Sequence, residues 1–182
     1  MAAKHYLLVA AGKDKPGIVA AVTKILFLHG CNLEDSSMTR LASEFAMLVI
    51  FQTPSRFNSE KLEKDARTLQ WKHGLFVQIK PLKSPELAKS VFRGRPHLIS
   101  IHGADKPGIV HHVSEALAEA HVNITDVSTR RISSKSGSGY VLFLEVELPS
   151  TLNAKGLEHI LTRVTGRLKL HVSVRPIETS PL

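Results

Sequence analysis

The sequence predicts an α+β protein built from two copies of one βαββαβ unit. Three observations carry that prediction. The chain has 182 residues, which suits two small domains or one large one. A phrase is written twice: "GKDKPGIVAAV" from Gly12 to Val22 returns as "GADKPGIVHHV" from Gly103 to Val113. In each half, apolar residues switch between alternating and helical spacing in the same order.

The repeat sets the organisation. At an offset of 91, Gly12–Leu41 lies over Gly103–Ile132 with 13 identities in 30 positions. Asp14/Asp105, Pro16/Pro107, Gly17/Gly108, Asn32/Asn123, Asp35/Asp126 and Arg40/Arg131 are among the matches. Further on, "FAMLVIFQTPS" lies over "YVLFLEVELPS" at an offset of 95, and the extra residues fall around "SSKSGSG", a polar tip that tolerates insertion. The expected domains are residues 1–82 and 97–178, with a linker at 83–96 rich in proline and charge and a tail at 179–182.

Each element has a local reason. Tyr6–Ala11 and Leu98–Ile101 are short apolar runs and read as strands. Ile18, Val19, Val22, Ile25 and Leu26 recur at helical spacing, as do Ile109, Val110, Val113 and Leu117. Pro16 and Pro107 are placed in the first helical turn, where a missing N–H costs nothing, and Asp14 and Asp105 are placed to satisfy free amides there. Asn32–Leu41 and Asn123–Ile132 read as mixed-polarity strands, and "FAMLVIF" and "YVLFLEV" as buried ones. Leu62, Ala66 and Leu69, matched by Leu157, Ile160, Leu161 and Val164, mark a second helix. "LFVQI" and "LHVSV" close each unit. The order β-α-β-β-α-β is the ferredoxin-like arrangement, with two helices on one face of a four-stranded antiparallel sheet.

Composition narrows the function classes. No stretch approaches the ~18 apolar residues of a membrane span, and no cleavage pattern follows the N-terminal apolar run. A single cysteine, Cys31, rules out an internal disulfide and fits a reducing compartment, so a cytoplasmic location is expected. The formal net charge is +8, but the basic residues are scattered and stacking aromatics are few. That pattern favours a solvated surface over a nucleic-acid groove.

The turn between first strand and first helix carries the chemistry. A helix start presents unpaired amides and a partial positive charge, which attract a carboxylate. Gly17 and Gly108 lack a side chain that would hold a ligand away from the backbone. Asp14 and Asp105 can accept hydrogen bonds from an ammonium, and Asn32 and Asn123 can serve either end of a zwitterion. The same residues also serve simply to start a helix, and on the residues alone both readings stand.

"GKDKPGIVAAVTKILFLHGCNLEDSS" and "GADKPGIVHHVSEALAEAHVNITDVS" resemble the ACT domain, a small regulatory module that binds amino acids. The D-x-P-G-[IVL] turn, the amphipathic helix and the N-[IL] opening the second strand stand in both copies. The resemblance implies ligand contacts where two such units meet, at Asp14, Lys15, Pro16, Gly17, Ile18 and Asn32 and at Asp105, Lys106, Pro107, Gly108, Ile109 and Asn123. It departs at Gly12 and Gly103, where some amino-acid-binding members carry a polar side chain. Two units with nothing else resemble, more narrowly, the glycine cleavage system transcriptional repressor group. That implies action through a partner regulator or enzyme, without a DNA-reading motif in this chain.

No enzyme motif competes. His111 and His112 are adjacent and do not make a ligand pair at four-residue spacing; no Cys-x-x-Cys or His-Glu-x-x-His occurs, and no metal site is expected. "GSG" at Gly137–Gly139 falls at a hairpin tip and is no phosphate loop. Cys31 is expected to pack. The expectation is a non-catalytic, cofactor-free sensor of a glycine- or serine-sized amino acid that signals to a partner protein and forms a homodimer, binding neither membrane nor nucleic acid directly. Its rivals are a ligand-free scaffold of the same architecture and a basic nucleic-acid binder.

Overall fold

The computed structural model describes residues 4–83, 94–134 and 137–177. They form two units, divided between Lys89 and Ser90.

The first unit runs β1 (His5–Lys13), α1 (Ile18–Leu28), β2 (Asn32–Leu41), β3 (Glu44–Gln52), α2 (Ser59–His73) and β4 (Phe76–Leu82). Its sheet has the order β2-β3-β1-β4, with every neighbour antiparallel. Strict alternation in β3 turns Phe45, Met47, Val49 and Phe51 inward beside Leu8 and Ala10 of β1. Two helices close over that face, α1 through Ile18, Val22 and Leu26 and α2 through Leu62, Ala66 and Leu69. Each of these Val, Leu, Ile, Phe and Met side chains contributes about 1.5–3 kcal/mol on burial. The helix α2 is capped at both ends. The Asn58 side chain accepts from the Lys61 amide at 2.9 Å, and Gly74 turns the chain left-handed at φ 67°. His29, almost fully buried, ties the end of α1 to Asp65 of α2 at 2.9 Å.

The second unit repeats this plan with β5 (Arg95–Ala104), α3 (Ile109–Glu119), β6 (Asn123–Ser134), β7 (Gly137–Leu148), α4 (Ala154–Arg167) and β8 (Leu170–Pro176). The sheet order is β6-β7-β5-β8. The inward set is Ile99, Ile101, Leu142, Leu144, Val146 and Leu148, covered by Ile109, Val113, Leu117, Leu157 and Leu161. Asn153 caps α4 by accepting from the Gly156 amide at 2.8 Å.

The duplication reaches the backbone. Each first helix ends in a left-handed residue, Gly30 at φ 66° and His121 at φ 54°. Each second helix leads into another, Gly74 and Lys169 at φ 59°. Both edge strands bulge at the same place, between Leu33 and Asp35 and between Ile124 and Asp126.

Three sequence expectations are corrected. Arg95 and Pro96, assigned to the linker, belong to β5, and Ile177 donates its amide to the Pro96 carbonyl at 3.0 Å. "GSG" opens β7, where Gly137 pairs with Ser134, and so is strand. Pro16 is not in the first turn of α1, which starts at Ile18. Residues 84–93 of the linker and the 179–182 tail lie outside the described residues.

Candidate ligand-binding turns

The Pro-Gly step is a turn in its own right. Gly17 has φ 91° and ψ −5°, and the Ile18 amide reaches back to the Lys15 carbonyl at 3.4 Å. Those angles belong to the third position of a type II turn, with proline at the second, the pairing that such a turn favours. Gly108 repeats them at φ 85° and ψ 1°. Glycine is therefore required here by backbone conformation. A Cβ added to Gly17 would meet nothing within 4 Å, so the position is also open to solvent.

Because glycine occupies the N-cap of α1 and of α3, neither helix start receives a side-chain cap. Asp14 and Asp105 do not cap, contrary to expectation. The Asp14 carboxylate lies 3.6 Å from Arg40 Nη1 of β2, and Asp105 lies 2.6 Å from Arg131 Nη2 of β6. The Asp14 amide donates to the Ser43 carbonyl at 2.8 Å, which fastens the turn to the β2–β3 hairpin. The amides of Gly17, Val19 and Ala20, and those of Gly108, Val110 and His111, donate no hydrogen bond to the described residues. Each turn therefore presents bare amides beside a carboxylate–guanidinium pair. Arg40 and Arg131 were visible as identities of the repeat, and only the fold gives them a role.

The asparagines lie elsewhere. Asn32 opens β2 opposite Gln52, which in turn faces His5 at the start of β1. The Pro-Gly turn follows the other end of β1. Arg40 is eight residues beyond Asn32 on the strand, roughly 27 Å at the usual rise. Within one unit the turn and the asparagine are thus at opposite ends of the sheet. Asn32 is exposed, whereas the Asn123 amide donates to Glu147 Oε2 at 3.2 Å. Lys15 and Lys106 stand on the turns, and Ile18 and Ile109 are buried as the first core residues of their helices.

Gly12 and Gly103 are packing positions. A Cβ at Gly12 would come within 2.9 Å of Leu75 Cδ2, and one at Gly103 within 2.7 Å of Leu170 Cδ2. Leu75, just before β4, and Leu170, the first residue of β8, are both buried, so no larger side chain fits. Cys31 packs against the first core, and burial pushes its thiol pKa up, away from a reactive thiolate. A cavity of about 370 Å³ lies between α3 and α4, and one of about 260 Å³ between α2 and β4; neither includes a turn residue.

A four-stranded antiparallel sheet under two helices, written twice with the same D-K-P-G turn before each first helix, defines a tandem of small α+β domains. The chain belongs to the ACT-domain family: residues 4–80 and 97–163 each match an ACT-domain model. It resembles the "Glycine cleavage system transcriptional repressor" of Escherichia coli K12, with 24% identity over 99% of this chain and 94% of that protein. A 44-residue stretch is 41% identical to the UPF0237 protein MK1213 of Methanopyrus kandleri, covering 24% of this chain and 49% of that one. Among solved structures, a protein of unknown function from Galdieria sulphuraria superposes with TM-score 0.80 at 21% identity, covering 97% of this chain and all of that one. A candidate glycine cleavage system transcriptional repressor superposes at 0.72 with 20% identity, covering 98% and 100%. At such identities the likeness concerns the fold. No helix of the described residues is long and apolar enough to cross a membrane.

Proposed function

We propose that the protein is a non-catalytic regulator that senses a small free amino acid at its D-x-P-G turns and passes the signal to a partner protein in transcriptional control of amino-acid metabolism. The observation that carries this reading is the twinned turn: bare helix-start amides beside an Asp–Arg pair, written identically in both units. A zwitterion matches it. Its carboxylate meets the amides and the guanidinium, and its ammonium meets the Asp carboxylate. The repressor from E. coli supports the transcriptional setting. Glycine or serine is favoured, because the turn offers charge and backbone and no apolar cup.

The separation of Asn32 and Asn123 from the turns has a consequence. A ligand that touches both takes the turn from one ACT unit and the asparagine from another. Occupancy then favours one placement of those units, by no more than the difference in affinity between the two arrangements. A tenfold preference is worth about 1.4 kcal/mol.

The test is a thermal-shift panel of free amino acids. A ligand at a hundred times its Kd adds about 2.7 kcal/mol to stability. Glycine or serine is expected to raise Tm, and Arg40→Ala with Arg131→Ala is expected to remove the rise. A panel without any shift at about 10 mM would leave the ligand-free scaffold as the reading.

A further inference from the structure

We propose that the second unit binds a divalent transition-metal ion, zinc in the first instance, through His111, His112 and Glu115 of α3. The inference does not rest on the amino-acid reading, although His112 borders the second turn.

Adjacent histidines are a poor pair by themselves, because neighbouring side chains diverge by about 100° around a helix. Glu115 changes the geometry. It is four residues from His111 and three from His112, so it lies on the same surface as each. One donor atom from each of the three falls within 4.8 Å of the others. His111 Nε2 stands 4.0 Å from Glu115 Oε2, and the two imidazole rings are 5.2 Å apart between centroids. Donors around one zinc ion at ~2.0–2.1 Å lie roughly 3.3 Å from one another in a tetrahedron. All three side chains are exposed, which leaves them room for the rotamer adjustment that the shorter spacing requires.

Three features distinguish the cluster from an ordinary surface ion pair. First, the pair His111–Glu115 leaves His112 unexplained, whereas a two-imidazole, one-carboxylate set employs all three and is one of the ligand sets that hold zinc. Second, the aligned residues of α1 are Ala20, Ala21 and Lys24, two without donors and one cationic. The units keep D-K-P-G-I-V in common and diverge at the three ligating positions. Third, His112 and Glu115 border the cavity of about 370 Å³ between α3 and α4, which leaves room beside the ion for water or an added donor. The His112 ring also lies over the turn, with Nε2 3.4 Å from where a Gly108 Cβ would be, so the left-handed glycine provides its space.

The experiment is calorimetric titration of the EDTA-stripped full chain with Zn²⁺ at about pH 7.5, where imidazole competes well with protons, with Co²⁺ absorption as a report on nitrogen ligation. One equivalent is expected in the second unit. The double variant His111→Ala/His112→Ala is expected to weaken binding at least about a hundredfold, and Glu115→Gln about tenfold. Alanine is a strong helix former and the sites are exposed, so far-UV circular dichroism should be unchanged. His102 and His171, which stack at 5.3 Å on β5 and β8, are the control. The double variant His102→Ala/His171→Ala should bind as the parent does. Unchanged affinity in the His111/His112 variant, loss of binding in the His102/His171 variant instead, or no binding at about 100 μM Zn²⁺ would each overturn the proposal.

Discussion

At the scale of single residues, conformation decides more than chemistry. Gly17 and Gly108 hold the αL region that a type II turn requires. Alanine there has space but the wrong backbone, so Gly17→Ala is expected to cost about 1 kcal/mol, read as a lower urea midpoint. Any loss of ligand response in that variant must be separated from the strain. Ala42 shows the reverse case: it sits at φ 54° in the two-residue turn between β2 and β3. Ala42→Gly is expected to stabilise by about 0.5–1 kcal/mol, and a drop in midpoint would contradict the strain. Cys31 contributes a pH dependence of its own. Its thiol pKa is raised by burial above the ordinary 9.0, so the folded state holds its proton longer than the unfolded chain does. The stabilising contribution is complete below about pH 9 and declines as pH rises further. Alkylation of Cys31 by iodoacetamide near pH 8 is expected to be slower than that of a free thiol.

At the scale of elements, the two helices of each unit start by different devices. The second helices, α2 and α4, begin with an asparagine cap, and Asn58→Ala or Asn153→Ala should cost about 1 kcal/mol each in a thermal or urea melt. The first helices have no side-chain cap, and their bare amides remain for something else to satisfy. The edge strands β2 and β6 carry the same bulge, charged side chains and the arginines of the candidate site. Bulges and charge are how exposed edges avoid promiscuous pairing, so the strand that bears half of the site is also the one kept from nonspecific association.

At the scale of the whole molecule, each unit closes its own core, from Leu8 to Leu75 in the first and from Ile99 to Leu170 in the second. Leu62→Ala should cost about 2–5 kcal/mol by opening the core of the first unit. Amide exchange is expected to accelerate first across β1–β4; equal acceleration in β5–β8 would show that the units unfold as one.

What the sequence determined by itself is the repeat, the element order and both cores. Those rest on local pattern: the alternation of "FAMLVIF" and "YVLFLEV", the helical spacing after each Pro-Gly step, and the offsets of 91 and 95 that place one unit over the other. The type of turn was written in Pro-Gly as well, but assigning the proline to the helix concealed it. Tertiary structure alone decided which side chains meet. It gave Asp14 to Arg40 and Asp105 to Arg131, and placed Asn32 at the far end of the sheet from the turn. Period and propensity act between neighbours along the chain, whereas a site is made by groups that only strand register and helix phase bring within a few ångströms.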